Sequence, residues 1–153
     1  MKVVILAAGE GKRMHPLTYT RPKVMLPVAN KPLLDHLIVT CREAGLTDFI
    51  IVTGYRADVI ERYFSDGRAS GIRIEYVAQE RQAGTADAVY QVRNRVQGTF
   101  LLLNGDILVN SGDIRAAAAK NEMQMGLFEM PEIKHLGVVE VQDNQITKIH
   151  EKV

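Results

Sequence analysis

The sequence predicts a layered α/β fold on a mainly parallel sheet, and two observations carry that prediction. Short, near-continuous apolar runs recur at Lys2 to Ala7, Phe49 to Thr53, Ile72 to Val77 and Thr99 to Leu103, the pattern of strands covered on both faces. Helix-like stretches separate them, at Leu33 to Ala44, Ala57 to Phe64, Thr85 to Val96 and Ile114 to Asn121. Strands that alternate with helices pack as a parallel sheet with right-handed crossovers.

Each element has its own signal. The first run is β-branched and ends at Gly9. The helix from Leu33 is closed by Gly45 and the one from Thr85 by Gly98, while Ser111-Gly112-Asp113 is a start signal for the last helix. The final third changes character: Gly126 to Met130, Leu136 to Val141 and Gln145 to His150 read as strands, with Asp143-Asn144 as a hairpin turn between the last two. An antiparallel appendage would make the sheet mixed. No repeat, low-complexity tract or linker interrupts the chain, so residues 1–153 are expected to form one domain.

Composition supports an ordinary globular protein. The 153 residues are 46% hydrophobic and 24% charged, which excludes collagen-like, disordered and membrane classes. Nineteen basic against eighteen acidic residues leave a net charge of +1, too little for a global pull toward nucleic acid or anionic lipid. Any bound anion must therefore meet a local site. Cys41 has no partner for an internal disulfide, and the apolar N-terminal run is too short for a membrane span and poor as a secretory signal. A cytoplasmic location is the expectation.

In open α/β sheets, ligands bind where loops leave the carboxyl ends of the strands. The first such junction, Leu6-Ala7-Ala8-Gly9-Glu10-Gly11-Lys12-Arg13, sets two glycines where bare amides can approach a phosphate. It fails as a dinucleotide fingerprint, which needs Gly or Ala where Met14 stands, and as a Walker loop, which needs Ser or Thr where Arg13 stands. A dinucleotide-dependent oxidoreductase is thereby disfavoured. The continuation from Met14 to Leu33 is a long, apolar, proline-stiffened loop, and ordered loops of that length are usually functional.

The pattern Leu-Ala-Ala-Gly-x-Gly-x-Arg-Met-x-Pro-Leu-Thr, followed by Arg-Pro-Lys-x-Met-Leu-Pro-Val and Asn-Lys-Pro-Leu, resembles the signature of the sugar-1-phosphate nucleotidylyltransferases. The resemblance implies a Rossmann-like three-layer α/β/α sandwich with a mixed, mainly parallel sheet, of the nucleotide-diphospho-sugar transferase type. It also implies an activity: transfer of a nucleotidyl group from a nucleoside triphosphate to a sugar 1-phosphate, with release of pyrophosphate. Such reactions depend on positioning and on neutralising phosphate charge. In those terms Arg13 suits the β- and γ-phosphates, Lys23 the α-phosphate, and the backbone from Leu6, Ala7 and Ala8 through Gly9 and Gly11 the nucleotide. Lys12 is a weaker candidate.

Two further junctions extend the resemblance. Gln79 to Ala88, with Gly84-Thr85 at a helix start, is similar to the family's base-recognition segment. There Gln79 would meet a pyrimidine edge with a donor and an acceptor, Gly84 would lie against it, and UTP or dTTP would be favoured. Asn104-Gly105-Asp106 is similar to the metal-binding Gly-Asp, making Asp106 one anchor for Mg2+. Gly137, Glu151 and Lys152 resemble residues that meet the sugar and its phosphate, although Val153 replaces the proline of the family's Glu-Lys-Pro. The four histidines show no ligand spacing.

The resemblance covers the whole chain but only the first part of the family's catalytic domain, so the fold is expected to be truncated at its C-terminal side. A nucleotide-binding fragment or split-enzyme half without turnover is the alternative reading. Glucose 1-phosphate and N-acetylglucosamine 1-phosphate both remain open as substrates. Strand edges left uncovered predict self-association into a homo-oligomer.

Overall fold

The computed structural model of the chain describes residues 1–120, 122–131 and 137–150. It divides into two compact units, Met1–Glu122 and Met123–Val153.

The first unit runs β1 (Lys2–Leu6), β2 (Pro27–Val28), β3 (Lys31–Pro32), α1 (Leu33–Glu43), β4 (Asp48–Thr53), α2 (Ala57–Phe64), β5 (Arg73–Ala78), α3 (Thr85–Gln91), β6 (Phe100–Asn104) and α4 (Ser111–Ala119). Its central sheet has the order β5-β4-β1-β6, with every pairing parallel. The register sets Leu6 opposite Val52 on one side and Asn104 on the other.

Pleating explains the two apolar faces, because successive side chains point to opposite sides of a sheet. Val3, Ile5, Phe49 and Ile51 join Leu34, Leu37 and Cys41 of α1, Ile60 of α2 and Ile114 of α4 in one buried cluster. Val4, Ile50 and Val52 join Ala88 of α3 and Val92 in another. Each fully buried aliphatic side chain contributes about 1.5–3 kcal/mol, and the six β1 and β4 residues Val3, Val4, Ile5, Ile50, Ile51 and Val52 are all 0% exposed. Burial also pushes the Cys41 thiol up to about 12.

The chain moves outward from β1 to β4 to β5 under α1 and α2, then returns to the far side of β1 as β6, with α3 on the opposite face. Right-handed crossovers require this change of face when the direction of winding reverses. The reversal opens a crevice beyond the carboxyl ends of β1 and β6, the usual ligand position in such sheets.

Most boundaries fall within two residues of those read from sequence, and the exceptions have physical reasons. The helix from Thr85 stops at Gln91 instead of Val96, because Val92, Arg93 and Arg95 donate to the carbonyls three residues back and tighten the chain into turns. The last helix begins at Ser111, three residues before Ile114, with Asn110 as cap: its Oδ1 accepts from the Asp113 amide at 2.9 Å. Its expected end, Asn121, lies outside the described residues. The long loop contains a small hairpin, β2–β3, turned by Ala29 and Asn30 at φ 48° and 67°.

In the second unit, β7 (Val138–Gln142) and β8 (Gln145–His150) pair antiparallel, with a register shift at Glu140/Val141. Asp143 and Asn144 turn the hairpin at φ 51° and 60°, the double positive φ of a type I′ turn. Leu136, the expected first residue of that strand, lies outside the described residues. The strand expected over Gly126–Met130 does not form. Phe128 there is 79% exposed, and apolar composition makes a strand only where a neighbour supplies ladder and packing. Among the described residues, the antiparallel pairs form sheets of their own, separate from the parallel one. No helix among them is long and apolar enough to cross a membrane.

Candidate active site

The segment after β1 is fixed from several sides. The Ala7 amide donates to the Val52 carbonyl and the Gly105 amide to the Leu6 carbonyl, both at 2.9 Å. Gly11 then turns the chain at φ 73°, a conformation that disfavours side chains, and Met14 N–H closes on its carbonyl at 2.9 Å. This single 3-10 turn, Lys12–Met14, carries Arg13 into solvent. The wholly buried Thr18 braces it from below, its Oγ1 donating to the Gly11 carbonyl at 3.1 Å. Tyr55 ties the assembly to the end of β4: its amide donates to the Ala8 carbonyl, and its hydroxyl lies 3.0 and 2.9 Å from the carbonyls of Thr18 and Tyr19.

Lys23 opens a second 3-10 turn, Lys23–Met25, behind Pro22. Val24 and Met25, 5% and 4% exposed, anchor that turn in the core, so the lysine is held by its neighbours' burial. Its Nζ sits 2.5 Å from Asp106 Oδ2, with both side chains more than a third exposed. Eighty-three residues separate the two in sequence; the parallel pairing of β1 with β6 brings them together. Lys12, by contrast, pairs with Glu10 at 3.6 Å.

A cleft of about 320 Å³ opens at this end of the sheet, lined by Leu6, Ala8, Gly9, Gln79, Gly84 and Thr85 among others. Six of the eight residues expected to meet a nucleotide are therefore on one surface. The other two are not: Ala7, just past the end of β1, is 2% exposed, and Gly11 packs against the Lys23 side chain. A larger groove of about 560 Å³ runs past Arg21, Met25, Arg62 and Tyr63 and holds none of the expected site residues.

Gln79 is 6% exposed. Its Nε2 donates to the Gly84 carbonyl at 3.1 Å and to Asp87 Oδ2 at 2.7 Å, so both amide hydrogens are engaged within the protein. The expectation of a donor and an acceptor on Gln79 is corrected to an acceptor alone. Gly84, at φ 99°, makes the bend that turns its carbonyl back to Gln79. Three polar residues were missed in the sequence. Gln82 donates to the Ala8 carbonyl at 3.1 Å, Asn104 lines the cleft, and Asp87 bridges Gln79 and Gln91. The Gln82 spacing after Gln79 was a usable signal; Asp87 looks like an ordinary first-turn acid.

Among the described residues no group of three or more His, Cys, Asp and Glu could hold a metal ion. A lone, partly exposed carboxylate still fits Mg2+, which takes one or two carboxylates and fills its octahedron with waters and phosphate oxygens. Gly137 lies just before β7, with the His150 carbonyl 3.7 Å from where a Cβ would stand. Glu151 and Lys152 lie outside the described residues.

The nucleotidyl transferase family model matches residues 2–152. A bifunctional GlmU protein of Methanococcus maripaludis is 37% identical over 99% of the chain, which spans 36% of that relative's length. A glucose-1-phosphate thymidylyltransferase of Streptomyces griseus is 34% identical over 99% of the chain and 44% of its own length. A Bacillus anthracis crystal structure described as a glucose-1-phosphate thymidylyltransferase superposes with a TM-score of 0.85 at 27% identity, over all of this chain and 65% of that one. The family model covers nearly the whole chain, and the chain belongs to the nucleotidyl transferase family.

Proposed function

We propose that the chain binds a nucleoside triphosphate, UTP or dTTP, in the cleft beyond β1 and β6 and transfers its nucleotidyl group to a sugar 1-phosphate. One observation carries the reading: the cleft lined by Gly9, Gln79 and Gly84 stands at the reversal of strand order, two residues before the Asp106 that holds Lys23. Two of the three residues read for catalysis from sequence, Lys23 and Asp106, are in contact.

In the reaction a phosphate oxygen of the sugar 1-phosphate forms a bond to the α-phosphorus, and the bond to the bridging oxygen of pyrophosphate breaks. Arg13, free in solvent at the glycine turn, grips the β- and γ-phosphates with its planar fork of donors. Lys23 exchanges its carboxylate partner for an α-phosphate oxygen and neutralises charge there. The amides beside Gly9 supply further donors. Asp106, once released, is the residue that would hold Mg2+, whose chemistry is to offset charge on the phosphate oxygens. Gly137, Glu151 and Lys152 belong to the sugar-phosphate side in this reading. The same reading makes the chain a single nucleotidyltransferase domain, spanning 36% of the GlmU relative's length and 44% of the thymidylyltransferase's. The edge strands β5 and β6 support self-association, and the unpaired, buried Cys41 supports a reducing, cytoplasmic setting.

The test is Mg2+-dependent pyrophosphate release over UTP, dTTP, CTP, GTP and ATP with glucose 1-phosphate and N-acetylglucosamine 1-phosphate. Release with a uridine or thymidine nucleotide, sharply reduced by Arg13→Ala and by Lys23→Ala, is the expected result. The short span relative to the relatives favours a second reading, nucleotide binding without turnover, for which saturable UTP binding without release is the mark. Neither binding nor release would refute both.

A further inference from the structure

Both hydrogens of the Gln79 amide face groups that can only accept. The atom 3.1 Å from the Gly84 carbonyl and 2.7 Å from the Asp87 carboxylate must therefore be nitrogen, an assignment the network makes by itself. Among the described residues the oxygen Oε1 makes no hydrogen bond, yet none of their buried side-chain oxygens or nitrogens lacks a partner. Oε1 is thus reachable from outside, and Gln79 lines the cleft. An unconstrained glutamine can turn either end of its amide toward a ligand and select little. This one is fixed, and Asp87 is in turn held by Gln91, whose Nε2 donates to its other oxygen at 3.2 Å.

From this we infer that Asp87 is a positioning residue for base selection: by holding the Gln79 amide nitrogen it makes Gln79 an acceptor for a ring N–H. Uracil and thymine present such an N–H between two carbonyls. Cytosine presents a bare ring nitrogen at the same place, and two acceptors then face each other. A site that leaves a polar group unpaired against the wrong ligand discriminates strongly. This inference deepens the proposed function and rests on it for the identity of the ligand, but the locked amide stands by itself.

Asp87→Asn tests it. An asparagine can donate as well as accept, so in the variant the Gly84 carbonyl alone still requires the nitrogen, and the inverted Gln79 amide becomes more populated. The affinities of UTP and CTP are measured for the full chain and for the variant by calorimetric titration. The ratio of UTP to CTP affinity is expected to fall at least fivefold in Asp87→Asn, and a ratio unchanged from the parent chain would overturn the inference. A purely structural role would weaken both nucleotides alike and leave the ratio where it was. Hydrogen exchange of the Gln79 side-chain amide, followed by NMR without nucleotide, is the second readout. It should quicken at least fivefold in Asp87→Asn, and unchanged exchange would refute the lock even if no nucleotide bound. Absence of UTP binding to the parent chain, with the exchange difference present, would instead refute the proposed function.

Discussion

Gly9 and Gly11 stand two residues apart in one turn, and alanine at each should do opposite things. At Gly11 the φ of 73° costs a non-glycine residue about 1–2 kcal/mol. An added Cβ would also come within 2.8 Å of Lys23 Cβ, 3.4 Å from Thr18 Cγ2. Lys23 Cβ is the rooted end of its side chain, above a turn anchored by Val24 and Met25, so relief requires backbone movement and overpacking adds about 1–3 kcal/mol. The stiffer unfolded chain returns about 0.4–1 kcal/mol, leaving a net loss of about 1–4 kcal/mol. At Gly9 a Cβ would meet nothing within 4 Å, and the backbone is not in the left-handed region. Gly9→Ala should therefore match the parent chain in urea unfolding or gain up to about 1 kcal/mol. Yet the space that Cβ fills is the space assigned to the nucleotide, so UTP affinity should fall at least tenfold, about 1.4 kcal/mol. Unfolding curves and UTP titrations of both variants decide it. Gly9→Ala with parental UTP affinity would refute the placement of the nucleotide, and Gly11→Ala with parental stability would refute the account of the turn.

Other outcomes follow from the same contacts. Lys23→Met removes the cation that occupies Asp106 at 2.5 Å, so Mn2+ affinity without nucleotide, read by electron paramagnetic resonance, should rise, while UTP affinity should fall. Phe49→Ala empties a wholly buried position between β1 and β5 and should cost about 3–5 kcal/mol in urea unfolding. Arg73 grips Asp48 through two bonds, at 3.1 and 2.7 Å, and holds its carboxyl below the usual range. A lowered folded-state value gives stability that is present above the ordinary carboxylate range and lost as pH falls through the lowered value. Asp48→Asn should therefore be less stable than the parent chain at neutral pH, by a margin that shrinks with salt and vanishes in acid unfolding scans.

Sequence and structure agree where one local rule sufficed. The β-branched run at Lys2, the helix over Ala57–Phe64 and the Asp143-Asn144 turn each declare themselves within a few residues. What was illegible depended on partners far along the chain. The Lys23–Asp106 pair spans 83 positions, and nothing local to either residue announces the other. Ala29 carries no hint of its positive φ, which the β2–β3 pairing imposes. Gly126–Met130 has the composition of a strand and lacks the neighbour that would make it one. The candidate site shows the same split. Its glycine turn and Gln79 were legible, whereas the direction of the Gln79 amide depends on an aspartate two residues beyond Thr85 that no motif marked.

The central claim is that nucleotide binds where β1 and β6 end. Backbone amide shifts of the 15N-labelled chain, titrated with UTP and Mg2+, test it most directly. The account predicts saturable shifts concentrated at residues 6–13, 79–85 and 104–106, with Gly9 and Gly84 among the largest. Shifts centred on the larger groove at Arg21, Arg62 and Tyr63, with the amides around Gly9 and Gly84 unmoved, would contradict it.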